Sequence, residues 1–180
     1  MNRAGAIAAY LSTAQEFVGV KELSGNRGVV PDFANWLHSG GDWRDYPLGL
    51  LGAPWCATSA NTIGRLALGI LWPLPRTPAV SSVDGIVRWG IEAKVIAEDG
   101  PQPGDLLCIA RQTGFGHVAI VQSVLPLGEV RTIEGNSNDD GSFNGDGFYN
   151  LTRRVKAADV LVRWVLRFPE SVTRSIGGPE

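Results

Sequence analysis

The chain has 180 residues, and its 16 Lys and Arg residues against 18 Asp and Glu residues give a formal net charge of −2. Charges of both signs are scattered along the sequence, which excludes the basic stripe of a nucleic-acid-binding domain. The longest apolar stretch, Leu66 to Leu74, is broken by Gly69 and Pro73 and is far shorter than a membrane span. We therefore expect neither a nucleic-acid partner nor insertion into a membrane.

The length suits one compact domain, which we predict over residues 1–170, followed by a flexible tail over residues 171–180. The amino terminus carries Arg3 and several small residues, but its apolar run is too short for a secretory signal. We expect a monomer that is synthesised in the cytoplasm without a signal peptide.

Helices are predicted in the first half of the chain. The first runs from Ala4 to Val18 and ends at Gly19. A short second helix holds Pro31 in its first turn and ends at the run Ser39 to Gly41. The apolar positions predicted to face inward are Ile7, Ala8, Leu11, Ala14, Phe17 and Val18 in the first helix and Phe33, Trp36 and Leu37 in the second.

The third predicted helix runs from Ala53 or Pro54 to about Ala67. Proline suits the first turn of a helix, because its missing N–H would have no acceptor there anyway. Cys56 then falls in the first turn of this helix. A fourth helix is predicted after Ser82, whose hydroxyl can accept from the first free N–H groups.

Beyond Glu92 the sequence changes to short runs of β-branched and apolar residues separated by turns, which is typical of an antiparallel sheet. Helices followed by strands indicate the α+β class, with the amino-terminal helices packed on one face of a carboxy-terminal antiparallel sheet of about five or six strands. The predicted strands are Lys94 to Ala97, Asp105 to Ala110, His117 to Val124, Val130 to Glu134, Gly147 to Leu151 and Val160 to Phe168.

Cys56 is the first candidate for chemistry. Cysteine catalysis requires a thiolate, and a free thiol with a pKa of about 8.5 supplies little thiolate near neutral pH. The partial positive charge at a helix amino terminus lowers that pKa, and a nearby imidazolium lowers it further. Cys56 has the first of these aids, so the second has to come from one of the two histidines of the chain.

His117 opens the strand-like run GHVAIVQSV after a glycine turn, and we predict that it lies at a sheet edge where it faces a cleft. His38 ends a short helix, where a histidine commonly meets the helix dipole and solvent, and we interpret it as structural.

A histidine base needs a partner that fixes its tautomer, and the motif IEGN offers two. Glu134 closes a predicted strand and is the first choice, while Asn136 starts the following loop and is the second. Taken alone, Glu134 is better explained as a solvated strand end and Asn136 as a turn residue.

Several motifs stand in order along the chain: PWCA around Cys56, PGDLL, GHVAIV from Gly116, TIEGNSN around Glu134, and FYNLTRR. Together with GVKELSGNRG near the amino terminus, they resemble the CHAP domain, the cysteine, histidine-dependent amidohydrolase/peptidase group of peptidoglycan hydrolases. The resemblance covers roughly residues 18 to 155 and implies a papain-like α+β fold.

The resemblance implies that Cys56 attacks an amide carbonyl and that His117 acts first as general base and then as acid. It implies that Glu134 orients His117 and that Asn136 assists beside them. Family members cleave the bond between muramic acid and L-alanine, or a bond within the stem peptide or cross-bridge. The reaction is acyl transfer through a thioester, with no cofactor and with the backbone N–H of Cys56 as the expected oxyanion donor.

Trp55, beside the nucleophile, and Trp43, in the preceding loop, are predicted to form an aromatic wall for a sugar or a stem peptide. Cys108 is flanked by apolar residues in DLLCIA and is predicted to be a buried core residue.

No metal site is predicted, although two segments invite a calcium interpretation. The loop NSNDDGSFNGDG starts like an EF-hand loop, but Gly147 stands where the bidentate glutamate would be. Asp42 and Asp45 form the second candidate, since some CHAP domains bind calcium in the loop ahead of the cysteine. Two carboxylates are too few to predict a site.

The leading hypothesis is a single-domain peptidoglycan amidase or endopeptidase, such as a phage lysin or a delivered antibacterial effector. It would act in the periplasm or on the cell wall, after holin-type release or delivery by a secretion system. Its partners would be bacterial peptidoglycan and an immunity or delivery protein. Two alternatives keep the fold: a cysteine peptidase or amidase that acts on a small peptide, and a non-catalytic wall-binding phage structural protein.

Overall fold

A computed structural model describes residues 1–38, 52–75, 77–112 and 114–168, apart from the side chains of residues 33 and 35–38. The predicted tail and the predicted end of the second helix lie outside the described residues. The helices are α1 (Arg3–Glu16), α2 (Val29–His38), α3 (Cys56–Leu68) and α4 (Val83–Glu92). The strands are β1 (Ile96–Ala97), β2 (Leu106–Ala110), β3 (Phe115–Val124), β4 (Glu129–Ser137), β5 (Gly147–Arg154) and β6 (Val160–Val162). None of the described helices is long and apolar enough to cross a membrane.

The six strands form one antiparallel sheet in the order β1-β6-β2-β3-β4-β5. Helices precede strands along the chain, and the predicted α+β fold is confirmed. The last strand is shorter than predicted, because the chain leaves the sheet after Val162 and forms a 3-10 helix at Trp164–Arg167. Trp164 is fully buried there, and its indole N–H donates to the carbonyl of Gly104 at 2.7 Å. A buried indole needs such an acceptor.

Most of the residues predicted to face inward around α1 do so: Ala14 is buried, and Ile7, Leu11, Phe17 and Val18 are partly buried and pack against the main core. The buried residues of α1 are Ala6, Tyr10 and Ala14. Ala8, which was predicted to face inward, is exposed. The apolar pattern left out Tyr10, whose hydroxyl donates to the carbonyl of Ala60 in α3 at 3.0 Å. Because a tyrosine with a satisfied hydroxyl buries a large ring, Tyr10 sets which face of α1 turns inward.

Helix α3 lies at the centre of the molecule and is buried from Cys56 to Gly64. It packs against α1 on one side and against β3 and β4 on the other. Two of its buried hydroxyls bond to carbonyls at the helix start: Ser59 Oγ donates to the carbonyl of Cys56 at 2.9 Å, and Thr58 Oγ1 donates to that of Trp55 at 3.2 Å. Oγ1 of Thr62 has no hydrogen-bond partner among the described residues. Since the bonds of Ser59 and Thr58 satisfy groups that burial would otherwise leave without partners, α3 can bring its first residue against the sheet.

The helix starts that border the site follow local signals. Helix α4 starts at Val83, and the hydroxyl of Ser82 accepts from the N–H of Gly85 at 3.1 Å, as predicted. Helix α3 starts at Cys56 with Trp55 as its cap, two or three residues after the predicted start at Ala53 or Pro54, so Pro54 precedes the first turn.

The two faces of the sheet carry different clusters. Val118, Ile120 and Ile133 face the helices and belong to the main core. Since side chains alternate along a strand, His117 in β3 and Glu134 in β4 point to the second face. The buried apolar residues of that second face are Leu107, Ile109, Ala119, Val121, Val130 and Leu161, with Phe143 and Val155 packed against them.

Candidate active site

Cys56 is the first residue of α3 and is 3 % exposed. The first N–H groups of a helix have no acceptor within the helix, and they give its amino terminus a partial positive charge. A thiolate at this position is therefore stabilised by the helix itself. The prediction that Cys56 lies in the first turn of the helix is confirmed.

His117 meets Cys56 where two strands of the sheet part. The ladder between β3 and β4 ends at the pair Ile120–Ile133, so the stretch of β3 that carries His117 lies beyond the last pair. The prediction of a sheet edge is wrong, because β3 lies between β2 and β4 and His117 is fully buried. His117 thus lies on an inner strand, at a point where β3 is no longer paired with β4.

Glu134, on the neighbouring strand β4, holds the imidazole of His117. The Nε2 atom of His117 lies 2.8 Å from Oε2 of Glu134, and both side chains are fully buried. Because a carboxylate can only accept, Nε2 carries a proton and donates it. Nδ1 is therefore the basic nitrogen of the neutral ring, and it is buried without a hydrogen-bond partner among the described residues.

Cys56 and His117 change each other's protonation. Burial raises the pKa of the Cys56 thiol, but the imidazole and the main-chain amides of Val118 and Ala57 outweigh this effect, and the pKa is lowered from its ordinary value. Burial lowers the pKa of His117, but Cys56 and Glu134 outweigh this effect and raise the pKa to about 9. Opposite shifts of this kind favour a thiolate and an imidazolium over a thiol and a neutral ring.

The thiol and the imidazole are close enough to shift each other's pKa, although Nδ1 of His117 makes no hydrogen bond of good geometry with any residue that the structure describes. Catalytic hydrogen bonds in enzymes without substrate are often long and tighten when substrate binds. Nδ1 is therefore the ring nitrogen that is available for proton exchange with the sulfur of Cys56.

Glu134 is enclosed by donors. Burial raises the pKa of its carboxyl group, but Arg153 and His117 outweigh this effect and lower the pKa to about 2. Arg153 donates from Nε to Oε1 at 2.8 Å and from Nη2 to Oε2 at 2.6 Å, and the hydroxyl of Thr132 donates to Oε1 at 2.5 Å. The sequence analysis missed Arg153 and Thr132. The available signal was the arginine pair that ends FYNLTRR, since a buried carboxylate on one strand needs a cation from a neighbour.

Asn136 lies near this group but is not hydrogen-bonded to it among the described residues. Its Nδ2 donates to Oδ1 of Asn144 at 3.5 Å, and its own Oδ1 is buried without a partner there. The backbone of Asn136 is left-handed, with a φ of 58°, at an irregularity in the β4–β5 ladder. The prediction that the strand ends at Glu134 is wrong. Asn136 forms part of a bulge, and β4 continues to Ser137.

Gly135 explains how β4 approaches α3 so closely. A Cβ atom on this residue would lie 2.5 Å from Oγ of Ser59 and 2.9 Å from the ring of Trp55. Any side chain at this position would therefore push the strand away from the helix. The glycine of the IEGN motif thus allows Glu134 to sit beside the first turns of α3.

A protein-family model described as CHAP domain matches residues 32–136, which is more than half of the chain. The chain belongs to the CHAP domain family. Members of this family are cysteine- and histidine-dependent amidohydrolases or peptidases. The matched residues include Cys56, His117, Glu134 and Asn136, and they end before Arg153. Neither the curated proteins nor the solved structures contain a match to the chain.

The CHAP domain has a groove of about 300 Å³ beside Cys56. It lies between the amino-terminal ends of α3 and α4 and the start of β3. Short side chains form most of its lining, namely those of Ala53, Ala57, Ser81 and Ser82, with Gly116. The approach to the sulfur is therefore lined mainly by short side chains.

Trp55 does not form the predicted aromatic wall. It is 1 % exposed, its indole N–H donates to Oε2 of Glu22 at 2.9 Å, and its ring centroid lies 5.2 Å from that of Phe148. A buried ring offers no face to a sugar or a peptide, so this prediction is wrong. Trp55 instead supports the start of α3 from within the core. Trp43 lies outside the described residues.

Cys108 is fully buried in β2, as predicted. Burial raises the pKa of its thiol well above the ordinary value, and the charge at Cys56 adds to the effect. Cys108 therefore stays a neutral thiol at neutral pH, and both cysteines are free.

No group of three or more His, Cys, Asp or Glu side chains among the described residues is arranged to hold a metal ion. The loop that starts like an EF hand directs polar side chains to its own backbone: Oδ1 of Asn138 and Oδ1 of Asp140 each accept from the N–H of Ser142 at 2.9 Å. Asp42 and Asp45 lie outside the described residues.

Proposed function

We propose that this CHAP domain is a peptidoglycan hydrolase that cleaves an amide bond, either between N-acetylmuramic acid and L-alanine or within the stem peptide. The observation that carries the proposal is a buried series of interacting side chains: Glu134 holds His117, and His117 interacts with Cys56. Cys56 in turn lines the groove. Acyl transfer needs a nucleophile, a base and a group that orients the base, in this order of contact.

In the acylation step, the thiolate of Cys56 attacks the carbonyl carbon of the amide, and a carbon–sulfur bond forms. The carbonyl oxygen becomes an oxyanion, which the backbone N–H of Cys56 stabilises because the helix leaves it without an acceptor. The imidazolium of His117 gives its Nδ1 proton to the amide nitrogen, the carbon–nitrogen bond breaks and the amine leaves. A thioester on Cys56 and a neutral imidazole remain.

In the deacylation step, Nδ1 of His117 accepts a proton from water while the water oxygen attacks the thioester carbon. The carbon–sulfur bond breaks, the acid leaves, and the thiolate and the imidazolium are restored. Glu134 keeps a proton on Nε2 throughout both steps, so Nδ1 remains the nitrogen that serves the sulfur.

The lining of the groove supports a substrate with short side chains. Ala53 and Ala57 are small, uncharged lining residues that suit a short apolar group of the substrate. Alanine, as the L or D isomer, flanks several amide bonds of the stem peptide, including the bond to muramic acid. The groove therefore supports both candidate bonds and favours neither.

Incubation with purified sacculi tests the proposal. We expect the protein to release new amino groups, and we expect mass spectrometry of the soluble muropeptides to find the termini of one cleaved amide. A Cys56→Ala variant is the control and is expected to release none. New reducing sugar ends in place of amino groups would contradict amide cleavage. Sacculi that stay intact, although a small peptide amide is hydrolysed, would assign the same chemistry to another substrate.

Replacing Glu134 with glutamine is expected to move the alkaline limit of kcat/KM to lower pH. In the wild-type protein the rate should fall as pH rises through about 9, because the imidazolium of His117 then loses the proton that it gives to the leaving amine. Glutamine keeps an acceptor for Nε2 but removes the charge, so the pKa of His117 should drop by roughly one unit or more. Profiles of kcat/KM against pH measure this shift, and identical alkaline limits would refute the role of Glu134.

A further inference from the structure

We propose that Arg153 is a positioning residue of the catalytic centre: its guanidinium holds the Glu134 carboxylate ionised and in the orientation that His117 requires. The inference rests on the roles proposed above for Cys56 and His117. It goes beyond the family match, which ends at residue 136.

The first observation is that Arg153 and its neighbours fill every acceptor position of Glu134. Oε1 accepts from Nε of Arg153 at 2.8 Å and from the hydroxyl of Thr132 at 2.5 Å. Oε2 accepts from Nη2 of Arg153 at 2.6 Å and from Nε2 of His117 at 2.8 Å. A carboxylate offers about four such positions, so this one cannot rotate without breaking a bond. The two-pronged contact from arginine fixes its plane.

The second observation is that Arg153 is itself fixed. Its Nη1 donates to the carbonyl of Gly141 at 2.9 Å, in the loop between β4 and β5. Its guanidinium lies 4.9 Å from the ring centroid of Phe143, and the same ring lies 5.2 Å from the imidazole of His117. The side chain of Arg153 is 16 % exposed. The loop therefore covers the ion pair on the second face of the sheet, where exclusion of water strengthens its charges.

The third observation concerns the other charged groups near the ion pair of Glu134 and Arg153. The guanidinium of Arg111 lies 5.2 Å from the ring centroid of Phe143. The carboxylate of Asp159 accepts from the main-chain N–H groups of Ala110 and Lys156. Neither Arg111 nor Asp159 is bonded to Glu134 in the part of the chain that the structure describes. Arg153 is therefore the cation that compensates Glu134 directly, apart from the imidazolium of His117.

Charge determines the direction in which loss of Arg153 should change the protonation of Glu134 and Cys56. Removal of the guanidinium should raise the pKa of the Glu134 carboxyl group, because Arg153 is the largest of the interactions that lower it. A protonated Glu134 no longer stabilises the imidazolium, and the thiolate then loses its counter-ion. Loss of Arg153 should therefore shift the onset of thiolate formation at Cys56 to higher pH.

The experiment follows the rate of Cys56 alkylation by iodoacetamide as a function of pH, with the modified residue identified by peptide mapping. Arg153→Met is expected to move the acidic limb of the profile upward by roughly one pH unit or more. Arg153→Lys keeps the charge but not the two-pronged contact, and it should give a smaller shift. Arg154→Met is the matched control: Arg154 is the next residue, its side chain is 67 % exposed, and it pairs with Glu129 on the surface. Its profile should superimpose on that of the wild type.

A folded Arg153→Met protein whose profile keeps the wild-type pH dependence, at whatever rate, overturns the proposal and leaves Arg153 a structural role. If Arg153→Met does not fold, Arg153→Lys decides, and a profile identical to the wild type overturns the proposal. Alkylation needs no substrate, so the two proposals can fail separately. If the wild-type protein does not cleave sacculi but Arg153→Met still shows the shifted alkylation profile, the proposed function is refuted and the role of Arg153 is supported.

Discussion

Replacing Cys56 with alanine is expected to reduce hydrolysis of sacculi by at least about 10⁴-fold, to the background rate. The sulfur of Cys56 is the atom that forms the thioester, and the remaining groups of the site act only through it. Cys108 cannot replace it, because that thiol is buried within β2 and its pKa is raised chiefly by burial. The rate of amino-group release, measured on wild type and variant at equal concentration, checks the prediction.

Cys108→Ser is the matched control for the loss of a thiol. We expect it to keep the wild-type rate while its midpoint of thermal unfolding falls, because a hydroxyl without a partner in an apolar site costs about 1 to 3 kcal/mol. A folded Cys56→Ala protein that retains a measurable share of the wild-type rate would contradict the nucleophile assignment. Equal loss of activity in both variants would point to a general effect of removing a thiol.

Replacing His117 with alanine is expected to lower kcat/KM by roughly 10²- to 10⁴-fold. Two effects combine in this variant. The leaving amine loses its proton donor, and the pKa of Cys56 rises because burial is then opposed only by the helix start and nearby main-chain amides. The remaining activity should therefore increase toward alkaline pH, whereas wild-type activity should fall above pH of about 9.

Profiles of kcat/KM against pH for wild type and His117→Ala measure both effects. His38→Ala serves as the control, since His38 is the other histidine of the chain and was interpreted as structural. A His117→Ala protein with the wild-type alkaline decline would show that another group carries the proton.

Local chemistry made the helix starts predictable. Ser82 caps α4 as its side chain predicted, and Pro54 lies two residues before the first residue of α3, so it marked the start of that helix only approximately. The strands were predictable for the same reason, since β-branched runs between turns specify a sheet. The position of Cys56 at a helix start follows directly from these signals.

The contacts that complete the site depend on register, which short-range patterns do not specify. The place where β3 and β4 part, and hence the way in which His117 reaches Cys56, is set by pairing between strands. Arg153 reaches Glu134 from β5, although its direct partner across the ladder is Val130. The burial of Trp55 likewise depends on Glu22 and Phe148, which lie far from it in sequence.

The central claim is that Cys56 and His117 share a proton, and the most direct test is the alkylation rate of Cys56 against pH in wild type and in His117→Ala. We predict that the wild-type protein reacts at pH values below the ordinary thiol pKa, and that the rate of the variant rises only at higher pH. Two superimposable curves, both rising at or above the pKa of an ordinary thiol, would contradict the account.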